Sequence, residues 1–332
     1  MGARMAFRFK LGEPFEEGCK RIAREQIERA QSQLREVGDQ AIAVHETRKS
    51  LKRLRALLRL IRPAIGEDTF KQENDQLRQI GRSLSGARDR HVLIETVNKL
   101  EAASGFVRKG LAETLRKSLL AANGAGAPLD SAAMKQAQGR LTEAKKRFAR
   151  LRIAGSGFDI VGPGLEACYR RARRAFRAAY DEQTDEAFHE WRKGTQHQWR
   201  QMTLLSRAWP GYLSARATEA RILSQALGDD HDLAMLIAFV RSDAAGGITG
   251  EQAAAIEKAV RQRQRALRDM AKPRGARLFA EGARRLRRSV ADYWQAAAAL
   301  KEHEPGEDDA EPGASHGRTR ARRRRVPARS RL

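Results

Sequence analysis

Apolar residues recur at intervals of three and four along most of the chain, the spacing that places them on one face of an α-helix. The alternation of apolar and polar residues that is typical of strands is nearly absent. Glycine, proline and capping residues, such as Asp39 and Asp185, separate the periodic segments. We therefore predict an all-α protein with helices at about 15–37, 39–63, 69–84, 88–101, 106–121, 131–151, 165–181, 185–208, 213–227, 231–242, 250–270 and 274–299.

An internal repeat relates the two halves of the chain. The segment 44–49, Val-His-Glu-Thr-Arg-Lys, returns 144 residues later at 188–193 as Phe-His-Glu-Trp-Arg-Lys. Downstream, Leu-Ser-Gly-Ala-Arg-Asp at 84–89 matches Leu-Gly-Asp-Asp-His-Asp at 227–232. The interval from the histidine to the final aspartate is 44 residues in the first half and 43 in the second. A third pair of segments lies upstream, at 17–21 and 166–170. Three landmarks in the same order predict two related helical halves packed about a pseudo-twofold axis.

The repeat and the composition divide the chain into three parts. Gly155-Ser-Gly157 interrupts the helical pattern, so we place the two helical halves at 12–154 and 155–299. Residues 300–332 form an acidic and then arginine-rich tail, with eight arginines after Gly317. Segments with like charges in blocks and few apolar residues do not offset the entropy of ordering, so we expect disorder from about residue 301.

The second predicted helix carries a stripe of positive charge. At 100° per residue its basic side chains fall within an arc of about 80° and extend over about 21 Å, beside an apolar face. The stripe consists of His45, Arg48, Lys52, Arg55 and Arg59. Ordinary exposed helix faces alternate acids with bases. Between His45 and Arg62, however, Glu46 is the only acid against seven lysines and arginines, which favours an anion-binding face over a solvated surface.

The second half repeats the stripe less completely. His189, Arg192, Lys193 and Arg200 keep the pattern, but Gln196 stands where the first half has Lys52, and His197 and Trp199 interrupt the basic run. The preceding segment, 169–174, adds Tyr-Arg-Arg-Ala-Arg-Arg. We expect His45 and His189 to donate hydrogen bonds to phosphate oxygens. Asp89 and Asp232 are expected to orient basic side chains or to cap the helix after the glycine-containing turn.

The overall charge limits the choice of partner. The chain has 65 Lys and Arg against 41 Asp and Glu, a net charge of +24, so a polyanionic partner or surface is expected. Arginine forks suit phosphate oxygens and require neither base nor sugar. Two cysteines are too few for a zinc site or a disulfide framework, and no apolar run predicts a signal peptide or a membrane span. We expect a cytoplasmic protein without a metal or other cofactor.

These features resemble the CHAD family, the conserved histidine α-helical domain. Its hallmark is a histidine followed three residues later by arginine and then by further basic residues at helical spacing, occurring twice. His45 with Arg48 and His189 with Arg192 fit that hallmark, and the turn at 227–233 and the segments 277–281 and 293–294 resemble its second half. The resemblance covers about residues 12–296. It implies two repeated antiparallel four-helix-type bundles around a basic central groove, binding of inorganic polyphosphate, and association with polyphosphate granules.

Catalysis is not expected, because the sequence has no phosphate-binding loop, no nucleophile motif and no carboxylates among the basic residues that would hold a metal. The alternative is a nucleic-acid-binding protein that uses the basic faces and the arginine-rich tail. The candidate polyphosphate-binding residues are His45, Arg48, Lys49, Lys52, Arg53, Arg55, Arg59, Arg88, His189, Arg192, Lys193, Arg200, Arg24, Arg170 and Arg174. If the histidines take up protons on binding, affinity should rise as the pH falls through about 6.5.

Overall fold

The described part of the chain is helical throughout, as predicted. A computed structural model describes residues 7–35, 40–84, 88–103, 109–122 and 131–303. These residues form eleven α-helices, three short 3-10 turns and no strand. The helices are α1 Phe15–Arg35, α2 Gln40–Ile65, α3 Glu67–Ser83, α4 Arg88–Ala102, α5 Lys109–Ala121, α6 Ser131–Ala149, α7 Gly162–Glu182, α8 Asp185–Leu204, α9 Pro210–Val240, α10 Gly250–Leu278 and α11 Ala283–His303.

The predicted break between helices at 227–231 is wrong, because α9 continues through it as one helix. A glycine inside a helix costs only about 1 kcal/mol, which packing readily offsets. Gly228 lies beside Arg192 of α8, whose Nε would be 3.8 Å from a Cβ at that position, so α9 packs normally here. Asp232 is therefore inside α9 and cannot cap the start of a helix, as one of its two predicted roles required.

Two further boundaries differ from the prediction. Helix α10 continues past residue 270 to Leu278, through Pro273, because Gly275 packs directly against the rings of Trp191 and Phe176. Helix α11 continues to His303, so residues 301–303 are helical rather than disordered. The Asp39 cap and the tail from residue 304 lie outside the described residues.

Two apolar cores hold the helices together, and each takes side chains from both halves of the repeat. The larger core joins residues of α2, such as Leu54 and Leu58, to Tyr169 of α7 and Trp191 of α8. The smaller core packs α4 and α5 against the second part of α9 and the first part of α10. The cores therefore do not separate at residues 154 and 155, and the pseudo-twofold relation between the halves stays a prediction.

Close contact between helices brings the basic helices α2 and α8 into one region. Helix α7 packs against both α2 and α8, and α2 also contacts α8 directly. At the first of these contacts Gly164 lies against the backbone of Leu60, and at the second Gly194 lies against the backbone of Ala172. Because glycine has no side chain, the helix axes approach each other closely at both points. The arginines of α2 and α8 therefore meet across the boundary between the halves.

Candidate polyanion-binding site

The site is a group of arginines at the meeting point of α2, α3 and α8, which we call the central basic cluster. It consists of Arg53, Arg55 and Arg59 on α2, Arg78 and Arg82 on α3, and Arg192 and Arg200 on α8. Of these, Arg53, Arg55, Arg59, Arg192 and Arg200 were predicted as site residues. The cluster takes side chains from both halves of the repeat.

The arginines on α2 are half-buried and are held by neutral groups. Arg53 donates to the Oε1 of Gln26 over 3.3 Å, and Arg55 donates from Nε to the Oδ1 of Asn74 over 3.0 Å. Arg59 has its guanidinium carbon 5.5 Å from the centre of the Phe70 ring. Neutral partners fix the positions of these side chains and leave their charges uncompensated.

Arg200 is the most deeply buried arginine of the cluster, with 8% of its surface exposed. Its guanidinium group lies 4.5 Å from the centre of the Trp199 ring and donates to the carbonyl oxygen of Gln196 over 2.9 Å. Burial and the nearby charges of Arg53 and Arg192 lower the pKa of Arg200 to about 10. The shift shows that the protein holds this positive charge in an unfavourable environment.

Helix α2 also contains an arginine with a lowered pKa. Burial, followed by the charges of Arg59 and Arg78, lowers the pKa of Arg55 to about 10. In the described part of the chain, Arg53, Arg55, Arg59 and Arg200 form no ion pair with a carboxylate, although 27 ion pairs occur elsewhere in it. These four arginines therefore concentrate positive charge without a paired carboxylate in the described part of the chain.

A recess of about 160 Å³ opens between α2 and α3 at one side of the cluster. Arg48 crosses it and donates from Nη1 to the carbonyl oxygen of Gly81 over 2.7 Å. Lys52 and the cluster residues Arg55, Arg78 and Arg82 complete its basic lining. A recess of this size accommodates a tetrahedral anion such as a phosphate group.

His197 lies within the cluster, although the sequence indicated an interruption of the basic run at this position. Burial lowers the pKa of its imidazole well below the ordinary value, and the charges of Arg59 and Arg200 add to the effect. Its Nδ1 is buried and has no hydrogen-bond partner among the described residues. Arg78 and Arg82 were not predicted as site residues, although their spacing of four on α3 was an available signal.

Several predicted residues lie outside the cluster. Arg24 lines a separate recess between α1 and α6, beside Glu17 and Lys145. Arg170 is exposed and forms an ion pair with Glu166, and Arg174 is exposed on α7.

The remaining predicted residues lie at the ends of the two stripes. Lys49 and Lys193 are each paired with the glutamate three residues before them, Glu46 and Glu190. His45 is exposed on α2. The side chains of Arg88 and Asp89 are not among those that the structure describes.

At the other end of α8, His189 stacks on His231 of α9, with ring centres 4.1 Å apart. Burial, together with the charge of Arg192, lowers the pKa of His231 to about 4. Burial also lowers the pKa of His189. Protonation of both imidazoles in the free protein is therefore less favourable than that of an unperturbed histidine, so the expected pH dependence moves to lower pH.

Across the described ranges, no group of three or more His, Cys, Asp and Glu side chains is arranged to hold a metal ion. None of the helices that the structure describes is long and apolar enough to cross a membrane.

Comparison with known families agrees with the resemblance seen in the sequence. The sequence model of the CHAD domain matches residues 21–241, which is more than half of the chain. The protein therefore belongs to the CHAD family. A search of curated protein sequences gives no match.

Proposed function

We propose that the protein binds inorganic polyphosphate through the central basic cluster and does so without catalysis. The observation that carries this proposal is the set of four buried or half-buried arginines, Arg53, Arg55, Arg59 and Arg200, that have no carboxylate partner in the described part of the chain. A buried charge without a partner is strongly unfavourable, and several like charges together increase the penalty. A bound polyanion would supply the missing negative charge.

The geometry favours a linear polymer of phosphates over a single small anion. The cluster continues from the recess between α2 and α3, past Arg59, to Arg200 and Arg192 on α8. We infer that the two halves of the repeat line one groove, related by the predicted pseudo-twofold axis. Membership of the CHAD family supports the choice of polyphosphate, because that is the ligand that the resemblance implies. Location on polyphosphate granules in the cytoplasm belongs to the same proposal.

Nucleic acid is the competing ligand, and the aromatic residues at the cluster weigh against it. Proteins that bind single strands without sequence preference stack bases on exposed aromatic rings. The rings of Phe70 and Trp199 instead have the guanidinium groups of Arg59 and Arg200 over their faces. The arginine-rich tail remains the feature that supports nucleic-acid binding.

The absence of catalysis is proposed from the donor chemistry of the cluster. Phosphoryl transfer normally uses metal ions held by carboxylates close to the transferred group. Asp75 forms an ion pair with Arg78 of the cluster over 3.4 Å. A single exposed aspartate beside several arginines is a poor ligand set for Mg²⁺.

Competition binding at near-physiological salt tests the proposal. Long-chain polyphosphate competes against DNA and RNA of matched charge, with the full chain and with a chain that ends at His303. We expect both forms to prefer polyphosphate. Changing Arg53, Arg55 and Arg59 to glutamate should weaken binding by about 100-fold or more and reduce its dependence on salt, because three phosphate contacts are lost.

The matched control changes Arg24, Arg170 and Arg174 to glutamate, which alters the net charge by the same amount at exposed positions outside the cluster. This variant should lose less than about tenfold in affinity, because its effect is only long-range. Equal losses in the two variants, or equal affinity for the three polymers, would show that the protein binds polyanions through its overall charge. Binding that disappears when the tail is removed would assign the function to the tail.

A further inference from the structure

His189, a candidate phosphate donor in the sequence, stacks on His231 near the start of α8, a contact that the sequence did not predict. His189 and His231 come from different helices, and their ring planes are inclined by 32° at a centre-to-centre distance of 4.1 Å. The Nδ1 of His189 is buried and has no hydrogen-bond partner among the described residues. A buried polar atom without a partner is unfavourable, so a ligand or a water molecule is expected to form a hydrogen bond with it.

The charged groups around the pair are well defined. Arg192 and Lys193 are the nearest cations for both imidazoles, and together with burial they disfavour protonation. The opposing carboxylates are Glu186 and Glu190 for His189 and Asp185 for His231.

Most of this negative charge is engaged elsewhere. Asp185 accepts from Arg261 and Arg268, and Glu190 is paired with Lys193 and Arg171. On α9 itself, the buried Asp230 is bound by Arg268 over 2.7 Å, next to His231 in the chain. Among these carboxylates, only Glu186 has no basic partner in the described part of the chain, and it is exposed to solvent on α8. A proton on the pair is therefore weakly supported until a further negative charge arrives.

The internal repeat shows what the pair replaces. His189 corresponds to His45, and His231 corresponds to Arg88 in the alignment of 84–89 with 227–232. The first half thus has a permanent cation where the second half has a titratable one. Arg192, which lies beside Gly228 one turn before His231, connects this position to the central basic cluster.

We infer that the His189–His231 pair is a further part of the polyanion site, where one proton is taken up when a chain of phosphates lies over Arg192 and Lys193. This inference rests on the proposed function. The proton moves from the solvent to an imidazole nitrogen, which then donates a hydrogen bond to a phosphate oxygen. One proton is taken up rather than two, because two imidazolium rings at this separation would repel each other. Affinity for polyphosphate thereby increases in mildly acidic conditions.

Calorimetry of the full chain with long-chain polyphosphate, in buffers with different ionisation enthalpies, measures the uptake directly. We expect about one proton per protein near pH 5.5 and close to none at pH 8. Uptake of one proton increases affinity by at most about tenfold for each unit by which the pH falls. Because uptake is complete only at the acidic end of the range, affinity should rise about tenfold between pH 7 and pH 5.5. Comparing variants with the same polymer removes any contribution from protonation of the polymer itself.

Two substitutions of His231 identify the pair as the origin of the proton. His231→Gln should abolish both the uptake and the rise in affinity at low pH. His231→Arg, which copies the first half, should abolish the uptake and increase affinity at pH 8. Circular dichroism verifies that each variant is folded, and His189→Gln provides the same test from α8 if a change at His231 prevents folding.

The outcomes separate this inference from the proposed function. Tight binding without proton uptake, or uptake that persists in His231→Gln and His189→Gln, overturns the role of the pair and leaves polyphosphate binding intact. Failure of the wild-type protein to bind polyphosphate overturns the proposed function and this inference with it.

Discussion

Replacing Arg200 with methionine is expected to make the free protein more stable and its complex with polyphosphate weaker. Arg200 is 8% exposed and has no carboxylate partner in the described part of the chain. Its pKa of about 10, lowered from that of an ordinary arginine, corresponds to a free-energy cost of about 3 kcal/mol for keeping the charge at this position. Methionine has a similar length, keeps apolar contact with Trp199 and removes the charge.

The expected gain is about 1–3 kcal/mol in the free energy of unfolding, because the hydrogen bond to Gln196 and the cation–π contact are lost at the same time. Thermal unfolding should show a rise of a few degrees in Tm. Polyphosphate should raise the Tm of the wild-type protein more than that of the variant, because a ligand stabilises the folded state by RT ln(1 + [L]/Kd), which is larger for the tighter binder. Binding itself should weaken by about tenfold or more.

Arg177→Met on the exposed surface of α7 is the control, and its effect on stability should be within about 0.5 kcal/mol. A loss of stability in Arg200→Met, with affinity unchanged, would show that Arg200 is a structural residue whose charge is compensated in the native protein. The proposed function would then depend on the arginines of α2 alone.

Opposite effects on stability and affinity follow from one physical cause. A site for a highly charged polymer needs positive groups that are already in place and partly removed from water, because interactions between charges are stronger there. Before the polymer binds, those groups repel one another, as the lowered pKa values of Arg55 and Arg200 show. The neutral partners Asn74 and Gln196 hold the guanidinium groups in position without neutralising them. The apolar cores shared by the two halves are what keep these helices together against that repulsion.

Local patterns in the sequence predicted most of the helices and one side of the site. Periodicity of 3.6 residues identified α2 and its basic stripe, because both depend on residues within one helix. The same rule could not reveal that α9 is continuous. A glycine and three aspartates at 228–232 are typical of a turn, whereas the ion pair between Asp230 and Arg268 of α10, which stabilises this segment in the folded protein, is not visible in the periodicity.

Contacts between helices decide which residues belong to the site. The periodicity of the sequence carries no information about those contacts. Arg24, Arg170 and Arg174 are as basic as Arg53, but they lie on other surfaces of the molecule. Conversely, Arg78 and Arg82 join the cluster because α3 packs against α2. His231 was visible in the repeat as the counterpart of Arg88, yet its contact with His189 appears only when α9 lies beside α8.

The second large effect is expected from Gly164, where α7 meets α2. A Cβ atom at this position would lie 1.8 Å from the carbonyl oxygen of Leu60 and 2.5 Å from its carbonyl carbon. Both are backbone atoms inside α2, so neither can move without displacing the helix. Gly164→Ala should therefore lower the free energy of unfolding by at least about 4 kcal/mol, which is a severe effect for a single methyl group.

Gly139→Ala on the exposed side of α6 is the matched control. A Cβ at Gly139 would have nothing within 4 Å, and alanine is preferred to glycine inside a helix, so stability should increase by about 0.5–1 kcal/mol. Urea unfolding of both variants measures the difference.

The α2–α7 contact also connects Gly164 to the binding site. It places Cys168 of α7 beside the carbonyl oxygen of Arg59, with Sγ 3.9 Å away. Any Gly164→Ala protein that still folds should therefore bind polyphosphate less tightly. If Gly164→Ala were as stable as the wild type, α7 could not lie this close to α2, and the arrangement of the cluster around Arg59 would have to be revised.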